Sequence, residues 1–253
     1  MRNIRLILEY DGTEYSGWMK QGNSDIPTVQ AALETAVRKL TGEKTEVAGC
    51  SRTDAGVHAI NYAANFRTDS GIPAEKFYKA LNPLLPENIK VKSSCEVPDD
   101  FHSAFSVVNK TYRYYFYYSE FESPLLKNKA WRAAPKAPLS KDEILDAANR
   151  ACRYFAGTHD FEAFKASGGL AKTTKRTVIY ASVSEAGNGV FCLEICGDGF
   201  LYNMVRIIAG TVAGVIAGRF APDEIPDIIR SKNRKRAGMT APPHGLYLYK
   251  VQY

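Results

Sequence analysis

The amino-acid sequence predicts an α+β fold made of two ferredoxin-like halves, each an antiparallel sheet covered by helices on one face. Two observations carry this expectation. Segments with a two-residue apolar period and segments with a helical period follow one another as β-α-β-β-α-β, and nearly the same string then occurs a second time. At 253 residues, the chain is also long enough to bury its cores without disulfide or metal staples. The two sheets are expected side by side, with a cleft between the halves.

In the first half, residues 4–10 read as a strand and 28–40 as a helix whose buried face is Val29, Leu33, Ala36, Val37 and Leu40. Two strands, 46–51 and 58–66, flank a Gly-containing turn; a helix over 74–84 and a strand over 89–95 follow. The second half begins with a strand over 111–118 and a helix over 140–155. Ser140 with Glu143 three residues later forms a capping-box start, and Gly157 is placed as the stop. Strands over 176–184 and 189–196, a helix over 201–217, a short extra helix over 223–231 and a strand over 246–252 complete the string. The irregular connector 97–109 sets the expected boundary, giving an N-terminal domain over 1–105 and a C-terminal domain over 106–253. Proline-rich 133–138 and Gly/Lys-rich 165–175 read as surface loops.

Composition narrows the class. A hydrophobic content of 45% fits a globular protein, and Lys+Arg exceed Asp+Glu by 33 to 27, a net charge of +6 that permits a polyanionic partner. Five scattered cysteines, Cys50, Cys95, Cys152, Cys192 and Cys196, form no C-x-x-C pair and read as reduced, buried thiols. Cys192 and Cys196 lie on one face of a strand but roughly 13 Å apart, too far for a disulfide. The chain opens directly on a strand pattern with no secretory leader, so a cytoplasmic protein is expected. The apolar stretch 200–218 contains Asn203, Arg206 and several glycines, and reads as a buried helix rather than a membrane span. No phosphate loop, dinucleotide fingerprint or metal constellation is visible in the sequence, so activity without cofactor or metal is expected.

The segment Arg52-Thr53-Asp54-Ala55-Gly56-Val57-His58 sets an acid two residues from a base in a Gly-permitted turn at the edge of a strand pair. Local rules alone would make it a structural Asx-type turn with a surface ion pair. Extended to Ala59, however, it resembles the signature of the bacterial tRNA pseudouridine synthase A family, and the resemblance continues in order along nearly the whole chain. Residues 9–13 with Tyr15, Gly17-Trp18 and Thr28-Val29-Gln30 look like that family's N-terminal segment. Asn82-Pro83-Leu84-Leu85-Pro86, Asp100-Phe101-His102, Lys110-Thr111-Tyr112-Arg113-Tyr114 and His159-Asp160-Phe161 follow, then residues 199–206 and 241–248.

The resemblance implies that Asp54 is the catalytic carboxylate of a uridine isomerase, with Arg206 as its charge partner. It implies that Tyr112 stacks on the target base, that Leu246 packs against it, and that Arg52 reaches toward the RNA and fills the space of the displaced nucleotide. The implied substrates are tRNA uridines at positions 38, 39 and 40 of the anticodon arm, bound by a homodimer. The carboxylate could add to the base, attack the anomeric carbon or remove the C2′ proton, and the sequence leaves all three open. Two positions depart from the family's usual pattern: Met19 stands where a glutamine is common, and Ala104 where an arginine is common. His58 and His102 lack ligand-spaced partners and read as structural or RNA-contacting. Lys165, Lys172, Lys175, Arg176 and Arg230, Lys232, Arg234, Lys235, Arg236 read as phosphate contacts.

Overall fold

The strand that opens the chain shows why the sequence folds as it does. Along Arg2–Tyr10, Ile4, Leu6, Leu8 and Tyr10 are buried while Arg5, Ile7 and Glu9 are not, so one face of the pleat meets the core. The structure is a computed structural model and describes residues 1–20, 26–133, 139–169 and 171–253. In chain order its elements are β1 (Arg2–Tyr10), α1 (Val29–Thr41), β2 (Ala48–Gly49), β3 (His58–Thr68), α2 (Phe77–Leu81) and β4 (Ile89–Val97). Then follow β5 (Asn109–Tyr118), β6 (Trp131–Ala133), α3 (Lys141–Arg153), β7 (Gly157–Asp160), β8 (Lys175–Gly187), β9 (Val190–Gly197), α4 (Met204–Ile216), α5 (Ile225–Ser231) and β10 (Leu246–Gln252). The fold is mixed α+β, as the repeated pattern of periods predicts.

Contacts divide the chain into two units, one of Met1–Val108 with Tyr247–Tyr253, the other of Asn109–Leu246. In the first, β4 and β3 flank β1, both antiparallel to it, and β2 pairs with β3 over two residues. Tyr247 and Leu248 of β10 run parallel to His58 and Ala59 on β3. The last strand, read from its order as closing the second half, therefore contributes most of its length to the first unit. A parallel pairing across nearly 190 residues of sequence leaves no local signal. Thr28 caps α1 by accepting the Ala31 N–H, and Gly42 at φ +77 ends the helix in a left-handed cap. The helix expected over 74–84 is broken: 3-10 turns Ala74–Lys76 and Asn82–Leu84 bracket α2. Pro83 lacks the N–H that a longer α-helix would use there.

In the second unit, β5, β9, β8 and β7 lie in that order with antiparallel pairing, and β6 joins β5 in parallel. Ser140 and Glu143 form the expected capping box of α3, but the helix ends at Arg153 and Gly157, at φ +109, opens β7 instead of stopping α3. β6 and β7 span three and four residues, too short for an alternation to show. Every residue of α4 except Arg206 is buried, which is the pattern of a helix enclosed by its own domain. Among the described residues no helix is long and apolar enough to cross a membrane. All five cysteines are free thiols, and burial pushes the Cys192 thiol up to about 11. Of the proline-rich loop, residues 134–138 lie outside the described residues, as does residue 170 in the Gly/Lys-rich loop.

Candidate active site

In the first unit the chain leaves β2, makes an irregular loop carrying Arg52 and Asp54, and enters β3 at His58. Arg52 is exposed and Asp54 half-buried. The loop is held by backbone bonds to the segment after β1. Trp18 donates its N–H to the Thr53 carbonyl at 3.2 Å, Gly56 donates to the Tyr15 carbonyl at 3.2 Å, and Val57 donates back to the Asp54 carbonyl at 3.2 Å. Buried Thr53 also places its hydroxyl 2.9 Å from that of Tyr10. Two glycines make this approach possible. A Cβ on Gly12 would sit 1.9 Å from the Val57 carbonyl oxygen, and one on Gly17 would sit 2.2 Å from that of Thr53, with Gly17 also at φ +99.

His58 closes the far end of the loop. It is 1% exposed, its Nδ1 accepts the Gly12 N–H at 3.1 Å and lies 3.0 Å from the Asp11 carboxylate, and its ring stacks on Tyr247 with centroids 4.5 Å apart. Of the two roles open to His58 in the sequence, burial favours the structural one. His102 has a local structural contact, taking the Ala104 N–H on its Nδ1 at 3.1 Å.

In the second unit, the segment 238–246 meets Arg206 at the start of α4 and Tyr114 on β5. Arg206 donates from Nε to the Ala241 carbonyl at 2.8 Å and from Nη1 to the Asn203 side-chain oxygen at 2.7 Å, while its own carbonyl accepts the Ala241 N–H at 3.1 Å. It is therefore anchored at the first turn of α4 and does not merely snorkel to solvent. Asn203, left-handed at φ 60, spends its side chain on Arg206 rather than on capping the helix. Gly210 and Gly238 permit the close approach: a Cβ on Gly210 would lie 1.9 Å from the Met239 carbonyl oxygen, and the Gly238 N–H reaches the Thr211 hydroxyl at 2.9 Å.

The same segment then meets β5. Tyr114 donates its hydroxyl to the Pro242 carbonyl at 2.8 Å, and Gly245 lies against the Tyr114 ring, so a Cβ there would be 2.7 Å from it. Burial drives the Tyr114 hydroxyl upward in pKa, with Arg206 opposing, so it remains a neutral donor at ordinary pH. Tyr112, two residues earlier on the strand, is buried, and Phe200 meets its ring edge-on at 5.3 Å, which fixes the ring plane. Leu246 is buried at the start of β10. The sequence assigns no bracing role to Tyr114 or to the glycines at 12, 17, 210 and 238; Tyr114, Gly12 and Gly17 lie inside motif-bearing segments, whereas Gly210 and Gly238 lie outside them.

The basic clusters resolve unevenly. Lys232 pairs with Asp160 at 2.7 Å, Arg230 pairs with Asp227, and Arg234 donates to the Gly238 carbonyl at 2.8 Å. The bond to Lys232 holds the Asp160 carboxyl below the usual carboxylate range. These residues build the protein as well as charge it. Lys172, Lys175 and Lys235 are exposed. Among the described residues no group of three or more His, Cys, Asp or Glu could hold a metal ion.

The loop-borne carboxylate of one unit and the anchored arginine of the other are set in segments that a family-wide comparison recognises as one class, the tRNA pseudouridine synthases. The match covers residues 6–106 and 151–253, and the chain belongs to that family. The tRNA pseudouridine synthase A of Acetivibrio thermocellus is 50% identical over 253 residues, all of each chain. The tRNA pseudouridine synthase A 2 of Clostridium tetani is 47% identical over all of this chain and 99% of its own. Among solved structures, the crystal structure of a Cbf5-Nop10-Gar1 complex aligns with 96% of this chain and 57% of that one, at a TM-score of 0.39 and 9% identity.

Proposed function

We propose that the protein isomerises uridine to pseudouridine in the anticodon arm of tRNA, at positions 38, 39 and 40, with Asp54 as the catalytic carboxylate. The bond from N1 of uracil to C1′ of the ribose breaks and a bond from C5 to C1′ forms. N1 gains a proton, C5 loses its hydrogen to solvent, and no atom is added to the product overall. The observation that carries this reading is the Asp54 loop itself, whose backbone is held by three main-chain bonds and whose acid is half-buried in a segment matching the family. Bracing holds a reacting group in place, and a misplacement of about 1 Å can cost about a hundredfold in rate.

Arg206 serves as the charge partner in the reaction that the family resemblance implies. Tyr112 presents a ring of fixed plane for the turned-out uracil, Leu246 packs against it, and exposed Arg52 enters the space the nucleotide leaves. Lys172, Lys175 and Lys235 meet phosphates and position the RNA without specifying its sequence. The enzyme works in the cytoplasm as a homodimer and needs neither metal nor cofactor. In the decisive experiment, tRNA from cells with and without the gene is mapped for pseudouridine by chemical adduct and primer extension. Loss confined to the anticodon arm is expected; unchanged pseudouridine at 38, 39 and 40 would remove the assignment. Sedimentation with and without tRNA tests the dimer, and turnover in chelator tests the metal-free chemistry.

A further inference from the structure

Within residues 199–206, Phe200 and Arg206 have the contacts described above and Leu201 is core, but Tyr202 has no such use. The residue is 46% exposed. Its backbone, by contrast, is fixed. The Tyr202 carbonyl accepts the Ala166 N–H at 3.1 Å, the next residue holds the left-handed turn that opens α4, and a Cβ on Gly169 would come within 3.0 Å of the Tyr202 Cβ. The loop that donates this bond also bears Lys165, half-buried and 3.5 Å from Glu162, and exposed Lys172 and Lys175. Four residues along the chain stands Arg206.

An exposed aromatic side chain on a rigid backbone, with a lysine-bearing segment bonded to that backbone, is the equipment for stacking an unpaired nucleobase; the lysines meet the phosphates and the ring takes the base. We infer that Tyr202 is a second stacking residue of the enzyme, taking an unstacked base of the RNA other than the uridine that is isomerised. The inference rests on the proposed tRNA uridine chemistry. It differs from the role of Tyr112, which is buried and edge-locked by Phe200.

Stacking one base is worth roughly a 5- to 150-fold change in binding. In Tyr202→Ala, KM for a tRNA transcript should rise by a factor in that range with kcat changed less than about twofold, and Tyr202→Phe should restore KM because the ring and not the hydroxyl is used. Tyr202→Trp supplies a direct readout: with an Asp54→Asn background to prevent turnover, adding an anticodon-arm hairpin should quench the new indole beyond the change seen from Trp18 and Trp131 alone. An unchanged KM in Tyr202→Ala, or an unquenched indole at RNA saturation, overturns the inference. Should the unsubstituted enzyme form no pseudouridine in tRNA, the functional reading fails separately, and the quenching measurement still decides whether Tyr202 stacks on RNA.

Discussion

The Asp54 loop and the start of α4 carry the two charged groups of the proposed chemistry, and they are held in opposite ways. Around Asp54 the support is backbone to backbone: Trp18, Tyr15 and Val57 fix the loop through main-chain bonds, and Gly12 and Gly17 clear the space for them. Around Arg206 the support runs through the functional side chain itself, whose guanidinium holds the Ala241 carbonyl and the Asn203 side chain. Substitution of the Asp54 side chain leaves these main-chain bonds in place, whereas substitution of Arg206 removes the bonds that its own guanidinium makes. Substitution at the two sites should separate chemistry from architecture in one case and confound them in the other.

The largest effect on a supporting group is expected at Arg206. Arg206→Ala should lower kcat by roughly a hundred- to a thousandfold and cost about 1–3 kcal/mol of stability, because the Ala241 carbonyl loses its charged donor. Arg206→Lys should not rescue, since a single ammonium cannot reproduce the two-pronged arrangement. Steady-state kinetics beside denaturant melts will show both losses together. Next, Gly12→Ala should displace the Asp54 loop through the Val57 carbonyl and lower kcat by up to about a hundredfold. Gly71→Ala, where a Cβ meets nothing within 4 Å, is the matched control and should be silent.

Smaller effects test whether the rest of the scaffold is separate from the chemistry. Ser140→Ala removes the α3 capping box and should cost about 1 kcal/mol in a melt with turnover unchanged. The smallest concerns His244, whose pKa burial lowers, with Arg206 adding to the shift and Glu122 opposing it. The folded state then resists a proton that the unfolded chain accepts. Stability contributed by this neutral histidine is fully present above its unfolded pKa of about 6.5 and is lost progressively as pH falls from there through the lowered folded pKa. His244→Gln should flatten this part of the pH–stability curve relative to the unsubstituted protein.

Legibility followed the range of the physical signal. Helices α1, α3 and α4 are read within a few residues because a periodic apolar face and a cap are local. The long helix over 74–84 is overread because the apolar spacing continues through Pro83 while the backbone donor does not. β6 and β7 are too short to alternate, and the parallel partner of β10 lies nearly the whole chain away. At the site, Asp54 stood out only through the resemblance. The bonds that brace it come from Tyr15 and Trp18, some forty residues upstream, so no local rule distinguishes its loop from an ordinary turn. Arg206 was visible as the lone charge in an apolar helix, but its bond to Ala241 depends on glycines at 210 and 238 whose effect appears only on folding.

The proposed chemistry requires the Asp54 carboxylate, in a loop whose main-chain bonds an isosteric amide leaves in place. With tRNA carrying tritium at C5 of uridine, and enzyme in excess over RNA, each isomerisation releases one tritium to water. Asp54→Asn should bind the tRNA within a few-fold of the unsubstituted enzyme and release no tritium above background. Release by Asp54→Asn at a rate within tenfold of the unsubstituted enzyme would contradict the account.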